Sequence, residues 1–584
     1  MYRRSDIADL KTTDSLPGEY PYVRGTRDNN HWLTRQEVLP TDSAEANAVA
    51  LDVLQKGVNS LGFTVKEPTA ENIARLLQGI DLEAVEVNFR GCVRKNLELA
   101  KALVAVLKER GAEKTFRGSI DYNPLKRAFR HGAEVDSAAI AKEACELLDI
   151  VKDVPGLKVL AVDSELFNNA GAYIFQELGY ALAWGAQWMT LLTEAGRSAT
   201  EVARRVKFNM GVSSNYFMEL AKFRAARMLW AQIAEQYKPD SKDDCKMACH
   251  AITSRFNQTL YDAHVNLLRS QTEAMSAALA GVDSITVTPF DAPYKTPDEF
   301  SERIARNQQL LLKEESHLDK VADPAGGSYY VETLTIAIGQ EAWKLFLEVE
   351  EKGGFFACVN SGDVQAAVNA SCRKRHDDMA RRKEILLGTN QFPNFNEMAA
   401  EKIEAGSSAA VEEAKVKGED EAPSCGCGGN CAGDPARALS TARQASDFEL
   451  LRLQTEAASN RPKAFMLTIG NLAMRLARAQ FSSNFFGCAG YEILDNIGFK
   501  SVEEGINAAM EAKADIVVLC SSDDEYAEFA PEAFKLLDGR AEFVVAGAPA
   551  CAEELKAAGI QNFIHVKSDV LETLRGFNAR LLKK

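Results

Sequence analysis

Two periodicities repeated in alternation constrain this chain more than any single motif. Between residue 60 and about residue 321, short β-branched or apolar runs alternate with longer stretches whose apolar residues recur every three to four positions. The short runs fall at 60–65, 84–89, 116–121, 158–163, 207–212, 247–253 and 284–288, with an eighth near Val321. The longer stretches include 96–109, 170–193 and 216–237. Short apolar runs bounded by turn formers read as buried strands, and the 3.6-residue spacing reads as amphipathic helix. Eight such units are the number that closes a (β/α)8 TIM barrel.

A second block of the same alternation follows, with strands expected at 464–469, 491–494, 515–520, 542–546 and 563–566. Helical stretches separate them, one opened by the capping pattern Ser501-Val-Glu-Glu504. Five strands joined by crossover helices make a small doubly wound, flavodoxin-like α/β domain. The expected organisation is therefore an N-terminal arm (1–40), a barrel (41–395), a linker (396–460) and the α/β domain (461–584).

Composition narrows the function. The net charge of −15 and pI near 5.2 argue against duplex nucleic acid or an anionic membrane as the main partner, since both call for clustered basic surface. The sequence shows neither a signal-peptide core nor a run of 18 apolar residues, so a soluble, cytoplasmic protein is expected. Twelve cysteines scattered through apparent helices and strands, such as Cys145 and Cys520, read as small buried hydrophobes in a reducing compartment.

A barrel places its site at the C-terminal ends of the strands. That face is expected to carry Asn88, Asp121, Asn123, Asp163, Ser213, Ser254, Arg255, Thr288 and Asp291. Strand-end polar residues also commonly cap the following helix, and that reading stands beside the functional one. In the α/β domain the crevice lies outside the strand C-termini, around Gly470, Ser521 and Gly547. Residues 404–435 read as a flexible linker containing Cys425, Cys427 and Cys431. Three thiolates so close can bind a soft metal or form a redox pair, but no neighbouring histidine completes a zinc set, and a tail of exposed thiols is the other reading. A basic run, Arg373, Lys374, Arg375, Arg381, Arg382 and Lys383, reads as a phosphate-facing patch or as a solvated helix face.

Two longer words, R-F-N-Q-T-L-Y-D (255–262) and D-P-A-G-G-S-Y-Y-V-E (323–332), resemble the late barrel of the methylmalonyl-CoA mutase family. That family uses adenosylcobalamin to rearrange acyl-CoA carbon skeletons, and its barrel, linker and small α/β domain match nearly the whole chain. The resemblance also implies which residues ought to be present. Catalytic members hold cobalt through the His of an Asp-x-His-x-x-Gly motif after the small domain's first strand, an imidazole oriented by its neighbouring Asp. Here the loop after Ile469 reads G-N-L-A-M-R-L-A-R, and His565, expected inside a strand, is the sole histidine after His376. The family's other two corrinoid-contacting loops appear as Ser521-Ser522-Asp523 and Ala546-Gly547-Ala548.

The barrel departs from the family in parallel. The Tyr-rich segment that threads CoA and shields the radical is reduced to T-R-D-N-N-H-W-L between Arg24-Gly25 and Thr34-Arg35-Gln36. Leu166 stands where the active-site His would precede Ala170-Gly171-Ala172. The resemblance thus implies a copy with no catalytic, cofactor-binding or metal-binding residues. It would pair as a heterodimer with a larger subunit that carries adenosylcobalamin and binds methylmalonyl-CoA and succinyl-CoA. An active mutase lacking a protein cobalt ligand, and a regulatory subunit that binds acyl-CoA, are the alternatives.

Overall fold

The computed structural model describes residues 2–39, 42–91, 93–410 and 433–583; Cys425, Cys427 and Cys431 lie outside them. The first sheet contains β1 (Leu33–Val38), β2 (Ser60–Val65), β3 (Glu86–Gly91), β4 (Gly118–Ile120), β5 (Leu157–Lys158), β6 (Leu160–Asp163), β7 (Val206–Val212), β8 (Cys249–Thr253) and β9 (Ser284–Thr286). Every pairing is parallel, and β9 returns to pair with β1. β5 and β6 are two halves of one stave interrupted at Val159, the first pairing with β4 and the second with β7. Eight staves therefore close the barrel, with helices covering its outside.

The expected count is right, but its phase is wrong by one unit. The first stave is β1, inside the span read as an arm, and the residues near Val321 form no strand. They make a 3-10 turn at Leu318–Lys320, and Asp323, with φ near +45°, turns the chain toward the helix Tyr329–Glu351. β1 escapes the apolar-run criterion because L-T-R-Q-E-V turns Arg35 and Glu37 inward as an ion pair, Nη2 to Oε1 2.7 Å. The arm is therefore shorter than expected. Its second half is fastened to the barrel wall, where Tyr22 OH donates to the Lys242 carbonyl (2.8 Å) and Arg227 Nε donates to the Tyr22 carbonyl (3.1 Å).

The second sheet comprises β10 (Lys463–Thr468), β11 (Glu492–Leu494), β12 (Ile516–Cys520), β13 (Glu542–Ala546) and β14 (Asn562–Ile564), all parallel. Its order, β11-β10-β12-β13-β14, is the 2-1-3-4-5 arrangement of flavodoxin-like folds. β14 ends at Ile564, so His565 lies just past the strand and not inside it.

Between the two sheets runs the helix Ser446–Ala457. On one side its buried Glu449 accepts the Leu260 backbone N–H (2.6 Å) and pairs with Arg443 (2.5 Å). On the other, its Leu451 carbonyl accepts Asn578 Nδ2 (3.1 Å), whose Oδ1 accepts Tyr491 OH (2.6 Å). The described parts of the expected linker are also fixed to the barrel. Glu404 N–H donates to the Tyr294 carbonyl (2.7 Å) and Leu439 N–H to the Phe129 carbonyl (2.8 Å). No helix among the described residues is long and apolar enough to cross a membrane.

Candidate functional site

Strand alternation sends every second residue into the barrel lumen, and here that set is polar. β3 contributes Glu86, Asn88 and Arg90, β7 contributes Lys207 and Asn209, and β8 contributes His250. Most barrels of this type fill the lumen with branched apolar layers. In this one a lattice of hydrogen bonds does the filling. Lys207 Nζ donates to Asn88 Oδ1 (2.9 Å) and Ser119 Oγ (2.8 Å) and lies 3.5 Å from Asp121. Asn209 and Asn123 both donate to Asp163, at 2.6 and 2.8 Å. His250 bridges Ser284 Oγ (2.7 Å) and Thr286 Oγ1 (3.3 Å), and burial among Arg35, Lys207 and Arg90 pushes its pKa far down, so the ring is neutral.

The nine strand-end residues divide into three groups. Asn88, Asp121, Asn123 and Asp163 belong to this lattice. Ser213, Ser254 and Thr288 tie loop backbone together: Ser213 N–H donates to Glu219 (2.9 Å), Ser254 Oγ accepts Phe256 N–H (3.2 Å), and Thr288 Oγ1 donates to the Thr253 carbonyl (3.1 Å). Arg255 and Asp291 stand apart, Arg255 exposed at the mouth and Asp291 buried 3.3 Å from Lys295. Residue-by-residue reading missed Arg35, Glu37, Glu86, Arg90, Glu165, Lys207, Asn209 and His250. Period-2 polar residues in E-V-N-F-R-G and V-K-F-N-M-G-V were the available signal.

Acidic groups crowd the upper lumen. Burial, reinforced by Asp163, holds Glu165 well above the carboxylate range. Asp163 is raised by burial and by Asp121. Asp121 works against its own burial, because Lys207, Arg90 and Arg35 hold it below its ordinary value. Leu166, part-buried on the short helix Glu165–Asn169, offers no polar atom there. Gly171 (φ +87°) completes that turn where a Cβ would come within 2.9 Å of the Phe256 ring.

Two cavities open on the lumen and share no lining residue. The lower, about 530 Å³, reaches Glu86, Asn88, Lys207 and His250 from the strand N-termini. The upper, about 210 Å³, is lined by Arg35, Glu37 and Arg90. The layer between them is closed by buried Arg35, Asn88, Ser119 and Lys207.

In the α/β domain Glu525 occupies the crevice. Its carboxylate accepts Ser521 Oγ (2.6 Å), Ser522 Oγ (2.7 Å) and the backbone N–H groups of Asn471 (3.1 Å) and Ser522 (3.2 Å). Those hydrogen bonds, Ser521's foremost, draw its pKa down to about 2. A Cβ at Gly470 would meet this carboxylate at 2.4 Å, and Gly547 faces Asp523 and Tyr526. Ser521, Ser522 and Glu525 are thus tied to one another and to the Asn471 backbone at the strand ends. Asn471 caps the helix Leu472–Gly487, whose first turns expose Leu472 and Leu476. His565 lies beyond β14, three strand positions from β10, or on the order of 14 Å at ~4.8 Å per strand. Its Nδ1 accepts the Lys567 N–H (3.2 Å). Among the described residues no group of three or more His, Cys, Asp or Glu side chains is arranged to hold a metal ion.

A model of the methylmalonyl-CoA mutase family matches residues 1–73 and 65–461. The chain is 57% identical over 583 residues to a methylmalonyl-CoA mutase small subunit of Porphyromonas gingivalis, covering 99% of this chain and 91% of that protein. It is 33% identical over 531 residues to a small subunit from Streptomyces virginiae, covering 89% and 81%. Against the one from Propionibacterium freudenreichii subsp. shermanii it is 31% identical over 547 residues, covering 92% and 80%. With a barrel, a flavodoxin-like second sheet and these relatives, the chain belongs to the methylmalonyl-CoA mutase family.

Proposed function

We propose that this chain is the non-catalytic, stabilising subunit of a cytoplasmic heterodimeric mutase that interconverts methylmalonyl-CoA and succinyl-CoA. A larger homologous partner carries adenosylcobalamin and the substrate. The observation that carries the reading is the α/β crevice. Between Gly470 and Arg478 there is no imidazole or carboxylate, and Glu525 fills the space at the strand ends.

A corrinoid held through a cobalt-bound imidazole does not fit these residues, so no step of the reaction is routed through this chain. The barrel supports the same reading independently. A thioester threaded along the axis would have to break the Lys207–Asn88–Ser119 layer, and Leu166 offers nothing to its carbonyl. The cofactor supplies the hard radical chemistry, and the protein around it must position and shield. This lumen is blocked at that layer, between its lower and upper cavities.

The test is direct. The purified chain, incubated with adenosylcobalamin and desalted, is expected to retain no corrinoid absorbance and to show no mutase turnover until the larger homologue is added. A red protein after desalting, or turnover by the chain alone, overturns the proposal.

A further inference from the structure

The upper cavity has a chemistry of its own. It lies at the C-terminal mouth between β1 and the helix Glu299–Glu314, and four guanidinium groups line it. The Arg35 side chain is fully buried. Its Nη2 pairs with Glu37, but Nε and Nη1 have no hydrogen-bond partner. Arg306, also buried, gives Nη1 to Gln36 Oε1 (2.9 Å) and leaves Nε without an acceptor. Arg90 gives Nε to Asp121 Oδ2 (3.2 Å), and its Nη2, 3.9 Å from Glu165, has no hydrogen-bond partner. Arg255 stands at the exposed rim.

A desolvated N–H with nothing to accept it destabilises the fold, so several converging on one cavity call for an acceptor there. The opposing charges on the wall are Glu37 and Glu302. Arg35, ahead of Arg90, overcomes the burial of Glu37 and keeps it ionised. Burial, then Asp291 and Glu37, lift Glu302 to about 7. Four cations face two carboxyls on the wall, and Asp121, 3.2 Å from Arg90 Nε behind it, offsets one more charge, leaving +1 with all ionised and +2 with Glu302 protonated.

Size fixes the class of ligand. A volume of about 210 Å³ falls below the ~300–1,000 Å³ of sites that hold drug-sized molecules, yet is far above the ~10–15 Å³ a single water requires. CoA esters and nucleotides are too large. Several oxygen atoms and two negative charges in a compact body would satisfy the forked guanidinium donors.

We propose that this cavity binds a compact dianionic oxyanion, either phosphate or a short dicarboxylate, coordinated by Arg35, Arg90, Arg255 and Arg306. The site is independent of whether the chain is catalytic.

Isothermal titration calorimetry on the full chain, in chloride buffer at fixed ionic strength, tests it with inorganic phosphate in one arm and malonate in the other. One saturable site per chain is expected for at least one probe, and the arm that binds identifies the source. Arg255→Gln, at the exposed rim, and Arg306→Gln are each expected to weaken binding by at least about tenfold, as loss of a charge-assisted hydrogen bond implies. Far-ultraviolet circular dichroism and the unliganded melting curve of Arg255→Gln report that the barrel is intact. The proposal fails if neither anion saturates, or if the affinity of an intact Arg255→Gln protein matches that of the unaltered chain.

Discussion

At the scale of single residues, the molecule buries charge wherever a neighbour can compensate it. Lys222 is the sharpest case. Its Nζ lies 2.7 Å from Glu177, 2.6 Å from Glu219 and 2.6 Å from the Gly211 carbonyl, with all three side chains fully buried. Burial raises the Glu177 pKa even against the pull of Lys222. Lys222→Met would leave two carboxyls facing each other in the core, and breaking a buried pair in this way costs about 3–5 kcal/mol. Glu177, already raised by burial, would then keep a folded pKa above its unfolded ~4.3. Such a group contributes stability below its unfolded value and loses it as pH rises, so the variant should be less destabilised at pH 5 than at pH 8. Urea midpoints of both proteins at the two pH values check this; equal destabilisation at both would contradict the electrostatic account.

At the scale of elements, one strut couples three helices. His376, on the helix Asp363–Ala380, meets Asp447 Oδ2 at 2.7 Å, and Asp447 Oδ1 accepts Arg575 Nη2 at 2.9 Å from the last helix of the α/β domain. Burial alone would depress the imidazole, but the Asp447 hydrogen bond, with a smaller contribution from Cys372, lifts it to about 9. A histidine whose folded pKa exceeds its unfolded ~6.5 contributes stability in full below that value and loses it as pH climbs through about 9. Contact between the domains should therefore weaken between pH 7 and 9.5. His376→Gln should remove that slope and cost about 1.5–3 kcal/mol at pH 7, the range for hydrogen bonds to charged groups. Thermal unfolding across this range measures it; an unchanged slope in the variant would count against the strut.

The elements also show what the sequence made legible. β7 stood out as a strand because its outward face, with Phe208, Met210 and Val212, is wholly apolar. The α/β domain was readable throughout for the same reason. β1 was not, because two of its six residues, Arg35 and Glu37, are ions turned into the lumen. The 321 segment misled through Leu318, which packs against the core, and Val321, which is exposed at the turn. At the α/β crevice the missing imidazole was visible in the loop, whereas the carboxylate of Glu525 was not, since only folding brings residue 525 beside Gly470.

At the scale of the whole molecule, the arm divides into two parts with different duties. From Tyr20 onward it belongs to the barrel: Arg24 pairs with Asp323 (2.8 Å), Trp32 is buried, and β1 begins at Leu33. Removing residues 1–36 would therefore take out a stave and unfold the barrel, which tells nothing about assembly. Residues 2–11 are mostly exposed, and Tyr2 lies 5.2 Å from the Tyr330 ring, itself 5.6 Å from Phe217. All three rings are about 40–50% open to solvent, Tyr330 at 39%, Tyr2 at 43% and Phe217 at 48%. Exposed aromatic clusters of this kind are the commonest anchors of protein interfaces. If the larger subunit docks here, deleting residues 2–11 should leave the melting curve of the isolated chain nearly unchanged while weakening co-purification with that subunit. Phe217→Ser should weaken it likewise, because the aromatic anchor is lost without disturbing the barrel wall behind it. Undiminished co-purification of both altered chains would move the interface to another face.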